Sequence, residues 1–277
     1  MTAFSPLPVP GLWWHVGYRQ ADRERLAAVF AHPGVADAYR HRPPYPPELF
    51  DLLEQIITDR PRTVLDIGAG EGALARPLAR RVDHVDALDM SAAMVEAGRG
   101  RPGGTQPNLR WIIGAAETAE LGGPYALVTA GACLHWMSWR PTLTRLAERM
   151  TENAFLAIVD HGHHDLPWSA ELTEVIVRHS RSPDYDPSFS LVNALCADGL
   201  FEITGHATTT PMAFRQPLAS YIEQFHSTSS LAREVMPAGE SAAFDRAVAR
   251  IVQPYAVDGL LDLRAVSFLT WGRITVG

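Results

Sequence analysis

A doubly wound α/β fold with a mostly parallel seven-stranded sheet is what this 277-residue sequence predicts. Three observations carry that expectation. Short apolar runs alternate with amphipathic stretches between residues 63 and 159. The first run ends in a glycine-rich turn, Asp66-Ile67-Gly68-Ala69-Gly70-Glu71-Gly72. An acid, Asp89, closes the second run 19 residues after Gly70. Strands separated by helices imply parallel pairing through right-handed crossovers.

The elements follow in order. From Gly11 to Tyr45, Trp13, Trp14, Tyr18, Tyr39 and Tyr45 are mixed with arginines, which reads as an irregular arm ending in Arg42-Pro43-Pro44-Tyr45-Pro46-Pro47. Proline suits a helix's first turn, so Pro47 opens a helix whose Leu49, Leu52, Leu53, Ile56 and Ile57 keep the 3.6-residue period, and Pro61 stops it. Strands are predicted over Thr63–Ile67, Val85–Leu88, Leu109–Ile113, Tyr125–Thr129 and Ala154–Val159. The helices between them are Gly72–Arg81, Ala92–Arg99 with Ser91 as N-cap, and Pro141–Met150. Beyond Asp160 come a helix over Trp168–Ser180, a turn-rich stretch from Arg181 to Pro187, a strand over Phe201–Thr209, helices over Pro217–Phe225 and Ser241–Val252, and a last strand over Leu260–Thr270. The last two helices thereby form a cap inserted before the last strand. The expected organisation is one structural domain with three parts: an N-terminal arm and first helix (1–60), a cofactor-binding core (61–160), and the rest of the sheet with its helical substrate cap (161–277).

The bulk composition sets limits on function. With 47% hydrophobic and 20% charged residues the chain can bury a sizeable core, unlike a disordered one. A net charge of -7 provides no global attraction to nucleic acid or anionic lipid, so neither is an expected partner. All 24 basic residues are arginine, which with the abundance of Ala, Pro and Gly suggests a high-GC bacterial genome. Cys133 and Cys196 fit no metal-ligand spacing and make no disulfide framework, so a reducing cytoplasm is the expected compartment. Met1 to Trp14 holds three prolines and no continuous apolar stretch, unlike a signal peptide, and no run approaches the ~20 apolar residues that cross a bilayer. Oligomeric state is not legible.

The glycine turn follows a buried strand and opens a helix, the setting that a nucleotide-type turn requires. Asp89, at the carboxyl end of the second strand, is placed to accept hydrogen bonds from both ribose hydroxyls of a nucleoside. Charge then distinguishes the nucleosides. A dinucleotide would lay a pyrophosphate over the turn, but the turn carries two acids, Asp66 and Glu71. S-adenosylmethionine has no phosphate and bears a sulfonium and an ammonium, so the acidic turn favours it.

Val64 to Gly72, followed by Leu88-Asp89-Met90-Ser91-Ala92-Ala93-Met94, resembles the first two motifs of class I S-adenosylmethionine-dependent methyltransferases. Gly114-Ala115-Ala116-Glu117 resembles that family's adenine-binding segment, with Ala115 where an Asp is common. Leu127 to Trp136 resembles its fourth-strand segment. The arm from Tyr39 to Pro46, Ser227 to Ser230 and Trp271-Gly272-Arg273 resemble the trans-aconitate-like, small-molecule branch. The resemblance implies a Rossmann-like methyltransferase acting on an O, N or C atom of a small organic molecule, with specialised metabolism as one setting. The alternative is a non-methylating reaction, such as cyclisation, on the same cofactor.

The residues expected to hold the cofactor are Asp66, Gly68, Ala69, Gly70, Asp89, Met90, Ala116, Glu117 and Ala130, with Arg42 meeting the cofactor carboxylate because the chain has no lysine. His135 follows the fourth strand at its ligand end and is the candidate catalytic base, with a pocket-wall role alongside Trp136 as the alternative. Tyr45, Trp136, His161 and His163 are the expected substrate contacts. The run His161-Gly162-His163-His164-Asp165 admits a metal or a plain surface loop as well, but no metal is expected, since Gly162 would break the regular geometry that converges the rings.

Overall fold

A computed structural model of the chain describes residues 27–181 and 189–276. Trp13, Trp14 and Tyr18 of the expected arm, and most of the turn after Arg181, lie outside the described residues. The strands are β1 (Thr63–Ile67), β2 (His84–Asp89), β3 (Leu109–Ile113), β4 (Tyr125–Gly131), β5 (Met150–His163), β6 (Phe201–Thr208), β7 (Met212–Pro217) and β8 (Leu260–Ile274). The α-helices are α1 (Pro33–Tyr39), α2 (Pro47–Gln55), α3 (Ala75–Leu78), α4 (Ala92–Arg99), α5 (Trp139–Ala147), α6 (Ser169–His179), α7 (Leu191–Ala197), α8 (Leu218–Glu223) and α9 (Glu240–Val252).

The sheet runs β3-β2-β1-β4-β5-β8-β6, with β7 paired to β8. β1 to β5 are parallel to their neighbours, whereas β8 lies antiparallel to β5, β6 and β7. β1 and β4 are buried on both faces and read as continuous apolar runs, as parallel sheets require. One face of the sheet packs against α2 and α3 through Leu49, Leu53, Leu78, Val64 and Val159, and the other packs against α5 and α7 through Leu143, Leu146, Leu195 and Leu156. A further core binds α6, α8 and α9 to the β7 end of the sheet through Leu172, Tyr221, Phe244 and Leu263.

Several expectations are corrected. The sheet has eight strands, because β7 pairs with the first half of β8. β7 is a short, half-exposed edge strand ending at Pro217, which leaves its apolar alternation faint in sequence. The helix expected over Gly72–Arg81 is α-helical only over Ala75–Leu78, since the chain first completes a turn with Gly72 at positive φ. α7 is an addition to the expected elements; Ser190 caps it by accepting the Asn193 N–H.

The largest difference is in β5. The strand, expected to end at Val159, continues through Gly162 to His163, so the glycine does not break it and the first three residues of the histidine run are strand, while His164 and Asp165 follow it as exposed irregular chain. The reason is β8, which pairs residue by residue with β5 from Leu156 to His163 and gives that backbone partners along one edge after β4 has ended at Gly131.

Candidate active site

The site lies at the carboxyl ends of β1, β2 and β4, where an open α/β sheet leaves a crevice. Gly68 and Gly70 take φ +56° and +57°, a region that suits glycine, and a Cβ on Gly68 would stand 2.5 Å from the Cβ of Cys133. The backbone can therefore come close to a ligand here. Asp89 fastens the turn: its Oδ2 accepts the Gly70 N–H at 2.7 Å and its Oδ1 accepts the Ser91 N–H at 2.8 Å. A carboxylate has about four acceptor positions, so each oxygen keeps capacity for a ribose hydroxyl. Burial raises the Asp89 pKa, and those two N–H donors oppose the rise.

Asp66 is 1% exposed and accepts the Thr129 hydroxyl on Oδ1 at 2.7 Å. Its Oδ2 has no hydrogen-bond partner. Burial pushes its pKa up to about 7, against the pull of the Thr129 hydroxyl and the Ala75 backbone N–H. A buried carboxylate with one orphaned oxygen suits a ligand cation, and an ammonium fits that requirement.

Glu71 plays a different part from the one its sequence position suggests. It is buried and paired with Arg101, whose Nε donates to Oε2 at 2.9 Å, while Arg76 stands 3.8 Å from Oε1. These arginines offset its charge, so the preference of the turn for a cation rests on Asp66 and Asp89.

Two adjoining cavities share Tyr39, Gly68, Gly70, Gly131 and Ala132. The first, of about 700 Å³, is walled by Leu88, Asp89, Met90, Ala116, Glu117 and Trp136, with Phe30 of the arm. Met90 is 58% exposed and so fills no core. Glu117 spends one oxygen on the Ser138 N–H at 2.9 Å, which holds the start of α5. The second cavity, of about 1060 Å³, is walled by Asp66, Ala69, Arg42, Tyr45, Leu74 and His161. Arg42 lies 3.8 Å over the Tyr39 ring and donates to Ser227, to the hydroxyl at 2.8 Å and to the carbonyl at 3.0 Å. The arm is thus tied to the cap across the site.

The remaining expected residues separate. Ala130 is buried in the core, and Gly131 and Ala132 form the wall in its place, because β4 points Ala130 inward just before the chain turns with Ala132 at φ +48°. His135, 3% exposed in a 3₁₀ turn over Leu134–Trp136, is not among the residues walling either cavity, whereas Trp136 is. His161 does face the second cavity, with its ring 4.2 Å from that of Tyr45. His163 packs instead on Tyr221 at 5.4 Å and Phe214 at 5.9 Å, and burial lowers its pKa to about 4. His164 and Asp165 line a separate hollow with Trp168 and Tyr255. Among the described residues no three His, Cys, Asp or Glu side chains come together as a metal site. Phe30, Gly131 and Ala132 join the site without having been expected there. The aromatic character of the arm is the only sequence signal for Phe30, whose ring meets Trp136 at 5.6 Å.

Residues 64–153 match the family model of a methyltransferase domain. A trans-aconitate 2-methyltransferase of Mycobacterium sp. (strain KMS) is 35% identical over 140 residues, which is 50% of each chain. The chain spans about half the length of the curated relatives it matches. Among solved structures, a candidate type II methyltransferase from Anaeromyxobacter dehalogenans superposes with a TM-score of 0.63 at 18% identity, covering 85% of this chain and 98% of that one. An S-adenosylmethionine-dependent methyltransferase from Thiobacillus denitrificans, in complex with S-adenosylhomocysteine, gives 0.51 at 15% identity, covering 87% and 97%. These two likenesses establish the fold.

Proposed function

We propose that residues 64–153, which match the family model of a methyltransferase domain, form the core of a class I, S-adenosylmethionine-dependent methyltransferase, and that the chain transfers a methyl group to a small organic molecule at O, N or C. The observation that carries this reading is the pairing of Asp66, buried with an orphaned oxygen, with Asp89, tied to the glycine turn but with acceptor capacity left over. Together they suit a cationic nucleoside. In this reading Asp89 holds the ribose, and Met90, Ala116 and Glu117 flank the adenine. Gly68, Ala69 and Gly70 bring backbone close to the ligand, Asp66 meets the ammonium, and Arg42 meets the carboxylate.

When bound, S-adenosylmethionine supplies a methyl group on an already activated leaving sulphur, so the protein's task is to position the acceptor and exclude water. Tyr39, at the junction of the two cavities, and Arg42 and Tyr45, on the wall of the second, do the latter. The core over 61–160 serves the cofactor, while the arm and the segment 161–277 shape the acceptor's place, with His161 on the wall of the second cavity and Trp136 on that of the first, beside the junction residues Gly131 and Ala132. His135 is proposed as support for that wall rather than as the base.

Calorimetry tests the cofactor. S-adenosylhomocysteine should bind and NAD should not; NAD binding alone would reverse the assignment. With an acceptor supplied, one S-adenosylhomocysteine per methylated product distinguishes methyl transfer from a cyclisation.

A further inference from the structure

The two cavities meet between Gly68 and Gly70 of the β1 turn and Gly131 and Ala132 at the end of β4. Asp89 lines the first cavity, and Asp66, with its orphaned oxygen, lines the second. S-adenosylmethionine carries its sulphur between the ribose and the amino-acid end. With the ribose at Asp89 and the ammonium at Asp66, the sulphur has to pass through the junction.

The sheet gives that junction its spacing. Thr129 is level with Asp66 in the β1–β4 pair, and Gly131 stands two residues farther along β4 on the same face. One strand across and two residues along separates Cα atoms by about 8 Å. The Asp66 side chain and the short carbon chain from the cofactor's ammonium to its sulphur suit a gap of that size.

Tyr45 reaches this point from the arm. Its hydroxyl oxygen lies 3.1 Å from where a Cβ on residue 131 would stand, an approach that is open because the residue is glycine. The ring is braced by that of His161, at 4.2 Å between centroids, and by that of Phe50, at 6.5 Å. Tyr39 is placed differently: a ring carbon, not its hydroxyl, comes nearest to Gly70. Burial, followed by the charge of Asp66, raises the Tyr45 pKa well above its ordinary value, so the phenol keeps its proton and presents a neutral oxygen.

The chemistry of the sulphur then matters. A methyl group on a sulfonium shares the positive charge, so its hydrogens are drawn to an oxygen lone pair through C–H···O contacts. S-adenosylhomocysteine has a neutral sulphur and no methyl at that place. An oxygen fixed beside Gly131 therefore distinguishes the two.

We propose that the Tyr45 hydroxyl oxygen lies against the sulfonium methyl of the bound cofactor and gives the site a preference for S-adenosylmethionine over S-adenosylhomocysteine. The inference rests on the methyltransferase reading and deepens it: besides excluding water, Tyr45 steadies the methyl for transfer and favours release of the spent cofactor.

The test is titration calorimetry of both ligands on the full chain, as parent and as Tyr45→Phe, and it needs no acceptor. Phenylalanine keeps the ring and its packing on His161 and Phe50. The parent should bind S-adenosylmethionine more tightly than S-adenosylhomocysteine. In Tyr45→Phe the affinity for S-adenosylmethionine should fall by about threefold to fivefold while that for S-adenosylhomocysteine stays at the parent value. The ratio of the two affinities is read within one variant, so a change in folding stability does not enter it. No preference in the parent, an equal loss for both ligands, or no loss for either overturns the proposal. A parent that binds neither ligand would instead count against the methyltransferase reading, so the two failures are told apart.

Discussion

Arg42 donates to both the hydroxyl and the carbonyl of Ser227, at 2.8 and 3.0 Å, across a sequence separation of 185 residues. Through this contact the arm that closes over the glycine turn is held by the cap that stands before the last strand. Charge-assisted hydrogen bonds of this kind contribute about 1.5 to 3 kcal/mol. Ser227→Ala leaves the carbonyl contact intact, so S-adenosylhomocysteine affinity should fall only about threefold to tenfold, whereas Arg42→Ala should cost more than tenfold. Titration calorimetry on both variants checks the order, and equal losses would remove the hydroxyl from the argument.

Asp89 tethers Gly70 and Ser91 and also lines the first cavity. Replacing it by Ala should weaken S-adenosylhomocysteine binding by ~1 to 3 kcal/mol through lost hydrogen bonds to a charged acceptor. An unchanged dissociation constant would take Asp89 out of the site.

Asp66 makes both stability and binding depend on pH. Its folded pKa of about 7 lies above the ordinary 3.8, so between those values the folded chain holds a proton that the unfolded chain has released. The contribution of Asp66 to the unliganded fold should therefore decline as pH rises from about 4 to about 7, by roughly 1.4 kcal/mol per pH unit, and stay level above. Melting curves of the parent minus those of Asp66→Asn isolate this slope. A ligand ammonium needs the ionised form, so below pH 7 S-adenosylmethionine affinity should drop by up to about tenfold per unit in the parent and vary less in Asp66→Asn.

His135 stands off both cavity walls and is 3% exposed. The expected result of His135→Ala is a lower melting temperature with turnover reduced by less than tenfold at saturating cofactor. A general base would cost ~100-fold or more. A loss of that size with an intact fold would restore His135 to the chemistry.

Gly68 should not tolerate a side chain. At φ +56°, with the Cys133 Cβ 2.5 Å from where an added methyl would stand, Gly68→Ala combines a backbone cost of about 1 to 2 kcal/mol with a steric clash. Thermal denaturation should show a drop beyond that of Gly199→Ala, where a Cβ meets nothing within 4 Å although φ is also positive, at +65°.

The order of strands from Thr63 to Val159, the glycine turn and Asp89 are legible in the sequence, because each depends on local rules: hydrophobic period, backbone permissiveness at glycine, and a strand end that fixes an acid in place. The bounds of the crossover helices are not, the first being α-helical only over Ala75–Leu78. The fate of Glu71 is not legible, since it depends on Arg101, 30 residues later, folding back to pair with it. The same holds for the histidine run. Its residues are too polar to announce a strand, and only pairing with β8, far along the chain, supplies the backbone partners that extend β5 through them. Tertiary structure then sends His161 to the second cavity, His163 into the cap and His164 to a separate hollow. Local sequence determined where a nucleoside could sit, because that needs only one turn and one acid. What lies opposite it was decided by contacts between distant segments, whose energies depend on which surfaces meet rather than on the order of residues in either one.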